Sequence, residues 1–210
     1  MENNFEIRLI KENDASAILE IYKPYVLNTA ITFEYDVPTI DEYLERIKVN
    51  TSEYPWLVCT LNEKIIGYAY ASKFRYRTAY QWSPESTIYL SPDVQGKGIA
   101  RILYKTLFSI LELQGYFNVY AGVAIPNAKS EGLHLAVGFT EIGVFKNIGY
   151  KLGRWHDTRW FQLILKEHES HPAPPEKIGG IENTPELKQI IAEANNELNT
   201  LSIRHLNKKI

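Results

Sequence analysis

The stretch Gln95-Gly96-Lys97-Gly98-Ile99-Ala100 has the residue types of an anion-binding turn. It follows the strand-like run Thr87-Ile88-Tyr89-Leu90. It precedes Ile102, Leu103, Leu107, Ile110 and Leu111, whose spacing predicts a helix from about Ile99 to Gln114, closed by Gly115. A helix N-terminus carries unsatisfied N–H groups and a partial positive charge, and small residues let a phosphate approach that backbone closely. A plain glycine-bearing connection between strand and helix gives the same pattern. Two better-known phosphate loops do not fit. A P-loop needs Ser or Thr after Gly-Lys, where this chain has Gly98, and a dinucleotide fingerprint begun at Gly96 needs glycine where Arg101 stands.

Other side chains have the chemistry of proton transfer and anion recognition. Glu85 opens the strand that leads to the turn and follows a loop rich in aromatics, where partial burial would raise its pKa and make it a proton acceptor. An exposed strand-end glutamate is the plainer reading. His134 lies among Leu133, Leu135 and Val137 on a helix that starts near Asn127. There a histidine is ordinarily a core or capping residue, and Asn127 an N-cap. Arg75 and Arg77, in Phe74-Arg75-Tyr76-Arg77-Thr78-Ala79-Tyr80, offer two guanidinium groups for bidentate anion contacts, or two solvated loop residues. Phe33 and Tyr80 could pack on a ligand's apolar chain or simply belong to the core.

These residues must be positioned by a sheet and its helices. Phe5 to Ile10 alternates as a strand, and Ile18, Leu19, Tyr22 and Val26 then continue at helical spacing. Thr39 and Glu42 form a capping-box signature before Tyr43, Leu44 and Ile47, while Thr29 to Pro38 reads as loop. Trp56 to Leu61 and Ile65 to Ala71, joined by Asn62-Glu63-Lys64, read as an antiparallel hairpin. Val119 to Ala124 is a further strand. Asn127 to Val137 is a helix ended by Gly138, and strands follow in Phe139–Lys146 and Thr158–Lys166. Between them, Gly149 to Asp157 reads as a turn-rich, aromatic and basic element that closes the site or meets a second subunit. Glu167 to Gly180, with Pro172, Pro174, Pro175 and paired glycines, has linker composition. Leu187, Ile191, Ala194, Leu198 and Leu201 then mark one apolar stripe of a last helix. The expected division is a domain over 1–166, a linker over 167–183 and a helical tail over 184–210.

The composition narrows the class. In 210 residues, 45% are hydrophobic and 23% charged, as a packed domain requires. The formal net charge is −2, with no long basic run, which argues against binding held mainly by nucleic-acid phosphates or an anionic membrane. Cys59 is the single cysteine, so a disulfide framework and a cysteine-built metal site are excluded and no metal is expected. No signal or transit peptide and no membrane span are recognised, and a cytoplasmic protein is expected.

The turn resembles the coenzyme A pyrophosphate loop of the GNAT superfamily of N-acetyltransferases, whose pattern of Gln or Arg, two residues, Gly, one residue, Gly or Ala is met by Gln95, Gly98 and Ala100. Within it, the chain is similar to the phosphinothricin N-acetyltransferases and related amino-acid acetyltransferases. The similar segments are Tyr54-Pro55-Trp56-Leu57-Val58, Ala79-Tyr80-Gln81-Trp82 with Glu85-Ser86-Thr87-Ile88-Tyr89, and Gly149 to Asp157, while the order of a strand, then Pro126-Asn127-Ala128-Lys129-Ser130, then a helix ending in Gly138-Phe139 is similar to the superfamily at large. The resemblance covers about residues 5–166. It implies an α/β fold with a mixed, mostly antiparallel sheet flanked by helices, in which parallel strands near 87–90 and 119–124 splay to admit the cofactor; a C-terminal helical extension is added here.

The resemblance further implies acetyl transfer from acetyl-CoA to the amine of a small amino-acid-like acceptor. Glu85 would be the base, and His134 the thiolate's acid or an assistant to Glu85. Leu90, Gln95, Gly96, Lys97, Gly98, Ile99, Ala100, Arg101, Asn127 and Ser130 would hold the cofactor. Phe33, Arg75, Arg77, Tyr80 and Lys151 would hold the acceptor, and the protein would be a homodimer. Acetylation of another amine, including a protein N-terminus, and a non-catalytic acyl-CoA-binding regulator are the competing functions.

Overall fold

Apolar side chains recurring every second residue and every third to fourth residue assemble here into one sheet between two layers of helices. The computed structural model describes residues 4–206, with side chains through Leu201. Seven strands, β1 (Phe5–Leu9), β2 (Trp56–Leu61), β3 (Lys64–Ser72), β4 (Glu85–Leu90), β5 (Asn118–Ile125), β6 (Thr140–Lys151) and β7 (Arg154–Ile164), take the spatial order β1-β2-β3-β4-β5-β7-β6. All neighbours are antiparallel except β4 and β5. Helices α1 (Ala15–Asn28) and α2 (Ile40–Thr51) cover one face, packing Ile18, Tyr22, Tyr43 and Ile47 against Trp56, Val58, Tyr68 and Tyr89. The other face carries α3 (Ile99–Gln114), which buries Leu103, Leu107, Ile110 and Leu111, and α4 (Ala128–Ala136).

The parallel junction is where the sheet opens. β4 and β5 are in register at a single pair, Glu85 opposite Tyr120, where the Tyr120 N–H donates to the Pro84 carbonyl at 2.9 Å. Past that point β4 stays paired with β3 as far as Leu90 opposite Gly67, and β5 with β7 as far as Ile125 opposite Asp157. The two strands therefore diverge into a wedge whose facing edges keep their backbone groups available.

Two expectations change. The segment Gly149 to Asp157 is the end of a long hairpin: Gly149 pairs with His156, Tyr150 with Trp155 and Lys151 with Arg154, with the turn at Leu152 and Gly153 in positive-φ conformations. The strand expected to start at Thr158 starts at Arg154. The paired glycines Gly179 and Gly180 lie in a short helix, α5 (Ile178–Ile181), rather than in linker, because Ile178 and Ile181 on either side of them are buried in the α3 core.

The segment before it is also tied to the domain. Trp82 donates its Nε1–H to the Ala173 carbonyl (2.8 Å), and Gln114 at the end of α3 donates through Nε2 to the carbonyls of Glu176 (2.7 Å) and Glu53 (3.0 Å). The last helix, α6 (Pro185–Leu206), lays Leu187, Ala194 and Leu198 on the α3 side of the sheet. Residues 207–210 of the expected tail lie outside the described residues. Asn195 forms a two-way bridge with the edge strand: Ile7 N–H donates to its Oδ1 (2.6 Å), and its Nδ2 donates to the Ile7 carbonyl (3.1 Å).

Candidate active site and cofactor turn

The turn from Ser91 to Gly98 brings the chain from the wide end of the wedge to the start of α3. Gly96 (φ +74°) and Gly98 (φ +86°) adopt left-handed conformations that side chains disfavour. Among the described residues, none of the N–H groups of Gly96, Lys97, Gly98, Ile99 and Ala100 meets a protein acceptor; helical bonding begins when Arg101 N–H reaches the Gly98 carbonyl at 3.1 Å. Gly96, Lys97 and Gly98 are exposed. Five consecutive donors at a helix N-terminus can hold an anion. Gln95 is occupied otherwise, since its Nε2 donates to the Tyr25 hydroxyl (2.9 Å), which in turn donates to the carbonyl of Leu90. Tyr25 thereby braces the turn against α1. Its place in an apolar helical stripe gave no sign of that role.

Glu85 stands at the narrow end of the wedge. By alternation it shares the α1 face with Thr87 and Tyr89, while Ser86, Ile88 and Leu90 face α3. Tyr70 lies close enough for the Glu85 charge to raise its phenol pKa. Opposite Glu85, Tyr120 stacks on Phe74 (centroids 4.8 Å apart), and Phe74 meets the edge of Trp160 at 5.4 Å. In these surroundings burial pushes the Glu85 carboxyl up to about 7, with the Arg75 guanidinium pulling partly the other way. It is therefore half-ionised near neutrality and can both accept and release a proton. The Trp160 Nε1–H is buried without a partner among the described residues, a donor that residue pattern did not single out.

His134 is elsewhere. It is 3% exposed, stacked on Phe161 with centroids 5.4 Å apart, and lies on the α3 face. Nδ1 contacts the Ser130 carbonyl at 2.7 Å, and a carbonyl only accepts, so Nδ1 carries the proton and Nε2 is left to accept from the Tyr104 hydroxyl at 3.3 Å. Burial lowers its pKa, so the ring is neutral at pH 7. Glu85 and His134 are thus on opposite faces of the sheet, and His134 reaches the wedge only past Tyr104. Asn127 caps α4: its Oδ1 accepts from Ser130 N–H (3.2 Å) and its own N–H donates to Glu131 Oε1 (3.2 Å).

The residues expected around the acceptor divide. Phe33 lies against Gly149, where a Cβ would sit 2.6 Å from its ring, and beside His156. Lys151 is 3% exposed and donates from Nζ to the Thr32 carbonyl (2.8 Å), with burial lowering its pKa. Both join the loop between α1 and α2 to the β6–β7 hairpin, and Glu34 of that loop adds, as Glu85 does, to the upward shift that burial gives the Tyr70 phenol. Arg75 lies over Phe74 at 4.9 Å and interacts with Glu85. With Arg77 it also lines a cavity of about 330 Å³ that includes Lys73, Glu176 and Lys177. Tyr80 is 44% exposed. A cavity of about 890 Å³ between α2 and the end of β3 includes none of the expected site residues.

A mixed sheet that splays between two parallel strands above an amide-lined turn, with a near-neutral carboxyl at the apex, defines an acyltransferase type of fold and site. The acetyltransferase (GNAT) domain family matches residues 7–160. The chain is 35% identical to a phosphinothricin N-acetyltransferase of Streptomyces viridochromogenes over 82% of this chain and 92% of the relative. It is 33% identical to an L-methionine sulfoximine/L-methionine sulfone acetyltransferase of Salmonella typhimurium over 80% and 98%. A GNAT superfamily phosphinothricin acetyltransferase from Sinorhizobium meliloti, solved in complex with AcCoA, superposes with TM-score 0.77 at 37% identity, covering 82% and 94% of the two chains. The chain belongs to the GNAT acetyltransferase family.

Proposed function

We propose that this protein transfers the acetyl group of acetyl-CoA to the amine of a small amino-acid-like substrate of the phosphinothricin or methionine sulfoximine type. The observation that carries the reading is a carboxyl with a pKa of about 7 at the apex of a wedge that leads to five backbone donors without a partner among the described residues. The pyrophosphate is held by the turn from Gly96 to Ala100, with Lys97 and Arg101 beside it, and the pantetheine arm follows the open edge of β4 toward Leu90, Asn127 and Ser130. The acceptor lies on the Glu85 face among Phe33, Tyr80, Lys151 and the arginine loop. In the ternary complex the amine nitrogen forms its bond to the thioester carbonyl carbon, the carbon–sulfur bond breaks, and Glu85 takes the amine proton directly or through water. His134 presents the acceptor Nε2 to Tyr104, so it is the candidate for a relay, taking up a proton from solvent and passing it by way of Tyr104 to the thiolate. The test is thiol release from acetyl-CoA with phosphinothricin, methionine sulfoximine, other amino acids and a peptide with a free N-terminus. Turnover of the peptide alone would assign a different acceptor, and CoA binding without turnover of any amine would leave a regulator.

The arginine loop makes a separate prediction. Arg75 acts on Glu85, so Arg75→Ala should move the acidic limb of the pH–rate profile to higher pH, because the charge that favours the carboxylate is gone. Arg77→Ala should leave that limb in place. If only one guanidinium grips the acceptor's anionic group, Arg75→Lys and Arg77→Lys will differ in acceptor KM; a pair of unaltered values means that the loop is only solvated.

A cytoplasmic homodimer is also proposed. No helix among the described residues is long and apolar enough to cross a membrane, and Cys59 is buried with its thiol pushed up to about 12, which suits a protein without disulfides. The β6–β7 hairpin exposes Phe145, Ile148, Tyr150, Leu152 and Trp155 by 47% to 61%, an apolar surface of the kind that subunits cover. Light scattering should give twice the chain mass for the wild type and a smaller species for Trp155→Glu. A monomeric wild type removes the dimer.

A further inference from the structure

We infer that the C-terminal helix is part of the cofactor site, with Leu201 acting as a positioning residue for the pyrophosphate turn. The inference rests on the function proposed above. The extension meets α3 at both ends. At the C-terminal end of α3, Glu176 N–H donates to the Gln114 carbonyl at 2.7 Å and Gln114 returns a bond to the Glu176 carbonyl. α6 then lies against α3 through Leu187, Ala194 and Leu198, and the Asn195 bridge to Ile7 fixes its register. Six residues further on, a rise of about 9 Å, the same stripe delivers Leu201 to the opposite end of α3. A Cβ placed on Gly98 would lie 3.0 Å from Leu201 Cδ2 and 3.5 Å from Cδ1.

Gly98 needs such a support. Among the described residues its N–H and those of its neighbours have no partner, so the turn is not braced there through the groups that would bind the ligand. Gly96, two residues earlier, has nothing among the described residues within 4 Å of its Cβ position. An apolar side chain against the Gly98 α-carbon holds the left-handed conformation by contact alone and leaves all five donors to an anion. The family match ends at residue 160, and the relative that is itself 92% covered matches only 82% of this chain, so the unmatched residues fall mainly in the extension.

Steady-state kinetics with two donors tests the inference. Leu201→Ala should raise KM for acetyl-CoA about three- to tenfold, leave kcat near the wild-type value, and leave KM for acetyl-pantetheine, which has no pyrophosphate, unchanged. Leu201→Met should restore most of the acetyl-CoA value. In Gly98→Ala the added methyl meets Leu201, so the double variant Gly98→Ala/Leu201→Ala should bind acetyl-CoA better than Gly98→Ala alone. An unaltered KM, an equal rise for both donors, or a lower KM for acetyl-CoA would each overturn the role, the last by making Leu201 an obstruction. Calorimetric titration of the wild type with CoA separates the two levels: binding by the wild type with no effect in Leu201→Ala removes only this inference, whereas no binding by the wild type removes the proposed function as well.

Discussion

Glu85→Gln should lower turnover at pH 7 by about 10²–10⁴ while leaving acetyl-CoA affinity nearly unchanged, the usual cost of losing a general base. The substitution keeps the size of the side chain and removes its basicity. In the wild type the rate should rise with pH through about 7 as the carboxyl ionises. In the variant that limb should disappear, and the remaining activity should climb at alkaline pH as the free amine becomes more abundant. His134→Ala is the comparison: a defect in protonating the thiolate is not relieved by raising the pH. Wild-type turnover by Glu85→Gln across the pH range would take Glu85 out of the mechanism.

The same carboxyl has a cost in stability. Its folded pKa lies above its unfolded value, so between about 4.3 and about 7 the folded state binds more protons than the unfolded one. Stability therefore falls as pH rises through that window, and the deficit is complete above it. Glu85→Gln should then melt at a higher temperature than wild type at pH 8, with the difference vanishing near pH 4. Calorimetric scans at the two pH values would show whether the group that serves the reaction also strains the fold.

Gly98→Val should raise the dissociation constant for CoA about tenfold or more, because a β-branched residue in a left-handed conformation costs about 1–2 kcal/mol and its Cβ also meets Leu201. The turn must distort, and its five donors then cease to converge. kcat at saturating acetyl-CoA should survive, since Glu85 is at the far end of the wedge. Titration calorimetry with CoA reads the effect, and acetyl-pantetheine serves as the control donor. Unchanged affinity in a folded variant would mean that the anion site is elsewhere. Gly96→Val meets no neighbour and should show the conformational part alone.

Legibility from sequence followed the physics of each element. α3 was expected over Ile99 to Gln114 and has those limits, because an amphipathic run between two glycines carries both its face and its ends in local residue types. The partial burial expected for Glu85 also follows from local signals, an aromatic loop followed by a strand. The β6–β7 hairpin was harder. Register shifts between Glu141 and Gly143 and between Phe145 and Gly149 break the period of two, so aromatic and glycine residues there look like a loop. Tyr25 and Trp160 were missed for a different reason. A tyrosine or tryptophan on an apolar face gives the same pattern whether its polar atom is used or left over, and only long-range packing distinguishes them. His134 is the converse, a residue whose chemistry drew attention but whose environment depends on Tyr104 and Phe161, both distant in the chain, as well as on nearby Phe139.

The bridge between Asn195 and Ile7 spans 188 positions of the chain. β1 precedes the other strands of this sheet in the chain and lies at an edge, where its unpaired backbone groups can recruit another strand. Its partner along that edge is made 188 positions later, so β1 and the apolar side of α3 wait uncovered until α6 has been synthesised. A nascent chain stopped before α6 keeps both surfaces open and is a target for aggregation and degradation, whereas one that includes α6 hides them. The extension thus makes synthesis of α6 a condition for a closed fold.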